Sequence, residues 1–131
     1  MADNYLEKKY EALYASEFMM YARNGNRSVY EDKYFERRND LTVLLAAEAA
    51  EDMGRFTDKI LDLVWMILEE STWIVPAHIH PFAAPQAGLP VCYEGKRHFN
   101  DLFAAQTGAI MALAWYICHE KFDAISPVIS T

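Results

Sequence analysis

Four side chains with chemical capability crowd the stretch Glu-Ser-Thr-Trp-Ile-Val-Pro-Ala-His-Ile-His-Pro-Phe, which runs from Glu70 to Phe82. They are Glu70, Trp73, His78 and His80. Imidazole suits proton transfer near neutral pH, so His78 is a candidate general base or hydrogen-bonding group for a substrate. The competing reading is an imidazole that ties the loop to nearby helix ends. In an extended segment His78 and His80 would point the same way, as metal ligands do. Cys92, His98, Cys118 and His119 would have to complete such a centre, and their spacing matches no zinc signature, so no metal is expected. The Trp73 ring offers a flat face for stacking on a pyranose; an indole in this position also serves as a loop anchor. Glu70 lies at the C-terminal end of a helical pattern, where a half-buried carboxylate is disfavoured by the helix dipole and needs a partner. It is read either as a substrate-positioning or acid/base group, or as an acceptor of N–H bonds that pins the following loop. Glu48 shares a face with Leu41, Leu44 and Leu45; a structural pairing with Arg37 or Arg38 is expected there, with a site role as the alternative. Lys96, Arg97 and His98 form a small basic run that would meet a substrate carboxylate or sulfate, or be solvated surface.

The elements positioning these groups read as helices. No run alternates apolar and polar residues over strand length. Asp3 is placed to cap a first helix reaching Asn24, with Tyr10, Leu13, Tyr14, Phe18 and Tyr21 on one stripe. Asn24-Gly25-Asn26 is a stop signal. Ser28 and Glu31 have capping-box spacing and open a helix to about Arg38. Asn39 and Asp40 either cap a new helix or lie within a bent one, and Gly54 marks the next break. The pattern from about Phe56 to Glu70 is the clearest helix. Its apolar arc is too wide for a lone surface helix and requires neighbours on more than one side. Residues 72–99 hold four of the five prolines, yet Trp73, Ile74, Val75, Phe82 and Tyr93 make the segment too apolar for a linker. It is read as an ordered loop. Asn100 or Asp101 caps a last long helix to about Phe122. Leu102 to Cys118 carries no formal charge and is near the lower length limit of a membrane span. Gln106, Thr107 and Gly108 interrupt it, and it is read as a helix buried on nearly all sides rather than one in a membrane.

Composition sets the outer limits. A chain of 131 residues with 53% hydrophobic content forms about one domain, here residues 1–131, with enough apolar material for a core. A net charge of −7 speaks against a phosphate-tracking nucleic-acid binder. The N-terminal Met-Ala-Asp-Asn-Tyr-Leu lacks a basic segment followed by an apolar one, so no secretory signal is expected and the cytoplasm is the default compartment. Two cysteines do not make a disulfide framework, although a single Cys92–Cys118 bridge is the alternative. GxSxG, P-loop, GxGxxG and HExxH motifs are absent, which removes motif support for serine hydrolase and nucleotide chemistry.

Taken together, Trp73, Pro76-Ala77-His78 and Asp101-Leu102-Phe103-Ala104-Ala105, preceded by a helix ending in Glu69-Glu70, resemble the heparinase II/III-like polysaccharide lyase family. The upstream stretch from Tyr34 to Phe56 is similar to the preceding helical hairpin of that family. The resemblance implies an all-α fold of successive antiparallel hairpins, part of an α/α-toroid, and a protein acting on uronate-containing polysaccharide by β-elimination. It places Trp73 and His78 on the family motif, with Glu70 beside them, as substrate-binding residues at the mouth of the toroid. It implies no cofactor. The asparagine and tyrosine/histidine stretches that carry the elimination in such enzymes are not found here. The chain is therefore expected to be an N-terminal toroid portion, inactive alone and prone to self-association through an exposed hairpin face. The alternative is a stand-alone helical binding or assembly module without catalysis.

Overall fold

In the computed structural model, which describes residues 2–79, 89 and 100–129, the regular elements are helical and no strand occurs among the described residues. A 3-10 turn (Ala2–Tyr5) precedes α1 (Ala15–Phe18) and α2 (Met20–Asn24), which Met19 separates. A long α3 (Ser28–Glu51) leads through a short turn into α4 (Thr57–Leu68). The one-turn α5 (Pro76–Ile79) and the long α6 (Leu102–Ile125) complete the order.

The first helix expected from Asp3 to Asn24 does not form as one element. Between Tyr5 and Ala15 the chain is irregular, because other helices claim its polar groups. Lys8 Nζ reaches Asp40 at 2.5 Å and Glu36 at 2.9 Å, and the Tyr10 hydroxyl donates to Asp40 at 3.0 Å. The backbone carbonyls of Lys8 and Glu11 accept from Lys59 and Arg37. A carbonyl facing a cation on another element does not also complete a helical turn, so tertiary bonding overrides the local pattern. The same bonds explain why Asn39 and Asp40 neither cap nor break α3. Asp40 lies inside a continuous helix, buried under the N-terminal segment.

Helix α3 begins at Ser28 as expected, but without the capping box: the Val29 amide donates to Asn26 Oδ1 at 3.4 Å, and the Glu31 carboxylate accepts from Arg27 Nε at 2.8 Å. Gly25 closes α2 with φ 78°, the left-handed conformation that glycine adopts without a Cβ penalty. Asp52 (φ 55°) and Gly54 (φ 78°) turn the chain between α3 and α4. That short turn makes the two helices antiparallel neighbours.

Helices α3, α4 and α6 pack against one another around Leu41, Leu44, Leu45, Phe56, Ile60, Leu63, Ile67, Ala114, Cys118 and Phe122. Each large side chain here contributes about 1.5–3 kcal/mol by leaving water. Helix α4 touches both α3 and α6, which accounts for its wide apolar arc. A second cluster of Phe18, Tyr30, Tyr34, Val75 and Ile79 joins α1 and the start of α3 to the segment around α5.

Helix α6 departs from expectation. Only one face is buried, through Ala104, Thr107, Ala114, Cys118 and Phe122. Leu102, Ala105, Ala109, Ala112, Leu113 and Tyr116 line the exposed face, where Leu102 is 73% and Tyr116 74% exposed. Apolar composition alone cannot distinguish a surrounded helix from one with a single covered side. By length and composition this helix is also long and apolar enough to cross a membrane.

Candidate functional site

Just beyond the last turn of α4, Glu70 turns inward between two arginines of α3. Its side chain is 3% exposed, and those of Arg37 and Arg38 are 5% exposed. Glu70 Oε1 accepts from Arg37 Nη1 at 3.1 Å, and Oε2 accepts from Arg38 Nη2 at 2.7 Å. Arg38 Nε donates to Thr107 Oγ1 at 2.7 Å, which draws α6 into the network. The Arg38 guanidinium also lies 3.3 Å from the centroid of the Tyr34 ring. The Tyr34 hydroxyl donates to the Trp73 carbonyl at 2.8 Å and sits 3.1 Å from Thr107 Oγ1. Burial raises the pKa of Tyr34 and keeps this hydroxyl protonated, although Thr107 and Arg38 act in the other direction. The carboxylate therefore pins the loop indirectly, through arginines rather than through backbone N–H groups.

Trp73 is half-buried against the main core, and its Nε1 donates to the Ile67 carbonyl at 2.9 Å. The Ile67 carbonyl also accepts from the Glu70 amide at 3.3 Å, so the indole adds a second bond at the end of α4. The indole is thus an anchor whose remaining surface alone is available to a ligand.

His78, on α5, has 37% of its side chain exposed, against 3% for Glu70. Its Nδ1 lies 2.7 Å from Asp101 Oδ2, and its ring stacks on Phe103 with centroids 5.3 Å apart. Asp101 also accepts from the amides of Ala104 (2.6 Å) and Val75 (3.3 Å). An ionised Asp101 accepts from His78 Nδ1–H, which leaves Nε2 as the acceptor. A cap at Asn100 or Asp101 was legible from the position before a helical run, and the structure selects Asp101; its hold on His78 was not legible, because the two are far apart in sequence.

Glu48 makes the structural pairing expected of it, but with a different partner. It is fully buried and accepts from Lys121 Nζ at 2.5 Å and from the amides of Gly54 (2.7 Å) and Phe56 (3.2 Å). Arg37 and Arg38 serve Glu70 instead. Burial works against the charge of Glu48, yet Lys121 and the two amides outweigh it and hold the carboxyl below its usual pKa.

Cys118 is buried in the main core, and burial pushes its thiol up to about 11, so it is a packing group rather than a nucleophile. His119 stacks on Trp115 on another part of the molecule. His80, Cys92, Lys96, Arg97 and His98 lie outside the described residues, as does most of the expected loop over residues 72–99. No group of three or more His, Cys, Asp or Glu suited to a metal ion occurs among the described residues.

Beside the arginine–glutamate network lies a cleft of about 470 Å³, between the segment around Leu13 and the end of α4. Leu13, Phe18 and Met66 give it apolar walls, and Tyr30, Arg37, Glu69, Glu70 and Ser71 supply polar groups. Sequence reading identified neither the cleft nor the role of Tyr30, because the irregular N-terminal segment forms one wall.

Comparison with models of known protein families and with curated proteins finds no match for this chain.

Proposed function

We propose that this chain is the N-terminal helical portion of a polysaccharide lyase-like α/α-toroid, contributing one wall of a cleft for uronate-containing polysaccharide. The observation that carries the reading is the uncharged, alanine-lined outer face of α6. Ala105, Ala109 and Ala112 recur at helical spacing with Leu102, Leu113 and Tyr116, which lets another helix approach closely. In a toroid each hairpin buries its face on the next, and this face has the composition of such a junction. Gln106 on the exposed side suits a protein neighbour better than lipid.

In this reading His78 contacts the sugar through Nε2. Trp73 and Glu70 shape the wall, since their polar atoms are already committed to Ile67, Arg37 and Arg38. Elimination from a uronate needs three functions: the carboxylate is neutralised, a base takes the C5 proton, and an acid protonates the leaving oxygen. This chain supplies binding and no complete catalytic set. As a separate chain it self-associates through the α6 face.

Affinity electrophoresis through gels containing alginate, heparan sulfate or hyaluronan tests the reading, with a neutral glucan as control. Retardation by at least one uronate polymer, weakened by His78→Gln, is expected, without release of unsaturated sugar ends. Equal retardation by the neutral glucan, or none by any polymer, would count against it and favour a stand-alone assembly module.

A further inference from the structure

The cleft beside Arg37 has a charge balance that the helical scaffold does not account for. Two guanidinium groups, Arg37 and Arg38, share the single carboxylate of Glu70, and all three side chains are at most 5% exposed. One positive charge is left over within these three side chains, while Glu69, the other carboxylate lining the cleft, sits exposed at its rim. Asp101, a carboxylate on the Tyr34 side, is occupied by His78 and the amides of Val75 and Ala104. A buried charge without a counterion is costly, and an anion supplied from outside would offset that cost.

Arg37 and Tyr30 both line the cleft and keep unused donors. Arg37 Nη1 serves Glu70 and Nη2 serves the Glu11 carbonyl, but the buried Nε–H has no partner among the described residues. Tyr30 lines the same cleft, is 5% exposed, and its hydroxyl makes no hydrogen bond to a described residue. Its ring is fixed edge-on against Phe18, with centroids 4.9 Å apart. The opposite walls, Leu13, Phe18 and Met66, are apolar. A cleft of about 470 Å³ with apolar walls and a few convergent polar groups has the form of a small-molecule site.

We infer that this cleft binds a small organic monocarboxylate, with its carboxylate on Arg37 and Tyr30 and its apolar body against Leu13, Phe18 and Met66. One excess charge matches a monoanion. Glu69, at the rim with Oε1 held by Trp65 Nε1, adds negative charge there and so disfavours a dianion such as phosphate more than a monoanion. The inference stands on the cleft alone and does not depend on the toroid reading.

The test is titration of the whole chain with phenylacetate, hexanoate and acetate, followed by ¹⁵N–¹H NMR including the arginine Nε–H region. Phenylacetamide serves as the neutral isostere and inorganic phosphate as the dianionic control. Phenylacetate is expected to shift the Arg37 Nε–H signal and to bind at least about tenfold more tightly than phenylacetamide and phosphate. Tyr30→Phe keeps the ring on Phe18 and should weaken phenylacetate about tenfold. Leu13→Trp fills the apolar wall and should abolish binding while leaving the Arg37–Glu70 contact in place. Equal binding of acid and amide, no response to any carboxylate, or indifference to both substitutions overturns the inference.

Discussion

Replacing Glu70 by alanine removes the carboxylate that, among the described residues, holds both Arg37 and Arg38, and the structure sets the scale of the damage. The carboxylate takes hydrogen bonds at 2.7, 3.1 and 3.3 Å from two guanidinium groups, and all three side chains are almost entirely buried. Without it, two cations face a low-dielectric interior with no counter-charge. Breaking a buried pair in this way costs about 3–5 kcal/mol, because the remaining charge has lost its water and gained nothing. A domain of this size is stable by about 5–15 kcal/mol, so the variant should lose a large share of its stability. The matched control is Glu69→Ala, which removes an exposed carboxylate bound to Trp65 Nε1 and should change stability by less than about 0.5 kcal/mol. Urea denaturation followed by circular dichroism reads both. A double-mutant cycle between Glu70 and Arg38 then isolates the pairwise contribution. A cost below about 1 kcal/mol for Glu70→Ala, or equal costs at positions 69 and 70, would refute the assignment of Glu70 as the organising charge of the site.

Four further outcomes follow from the same contacts. Tyr34→Phe removes the bond to the Trp73 carbonyl and should cost about 1–3 kcal/mol, with faster hydrogen exchange at Ile74 and Val75; unchanged exchange there would contradict the role of Tyr34 as the tie between helix and loop. Asp101→Ala should destabilise more than His78→Ala, since it removes the cap on α6 (about 1 kcal/mol), the Val75 contact and the partner of His78 together, as thermal melts can determine. The pKa of Glu48 is depressed in the folded protein, so its contribution is fully present above its unfolded value and is lost as pH falls through the folded one; Lys121→Met should flatten stability against pH on the acid side, and an unchanged acid limb would oppose this. Ala109→Glu places a charge in the middle of the outer α6 face and should shift the chain toward monomer in light scattering, whereas a wild-type chain that is already monomeric at high concentration would remove the basis for a helix-packing surface.

The sequence by itself determined the helical class and most of the punctuation. Apolar periodicity placed α4, glycine at positions 25 and 54 marked stops, and Asn100-Asp101 before an apolar run marked the start of α6, because these are local effects of backbone conformation and capping. It also brought Glu70, Trp73 and His78 forward, since a carboxylate at a helix C-terminus and a tryptophan in a proline-rich segment stand out by type. Tertiary structure decided what each of them touches. Arg37 and Arg38 pair with Glu70 rather than Glu48, because Lys121 of α6 arrives at Glu48 from far along the chain. The N-terminal segment gives up its helix because its carbonyls and side chains are claimed by α3 and α4, and in doing so it becomes a wall of the cleft. Long-range ion pairs and burial carry no signature in local spacing; they arise only when the helices have packed and excluded water from the charges between them.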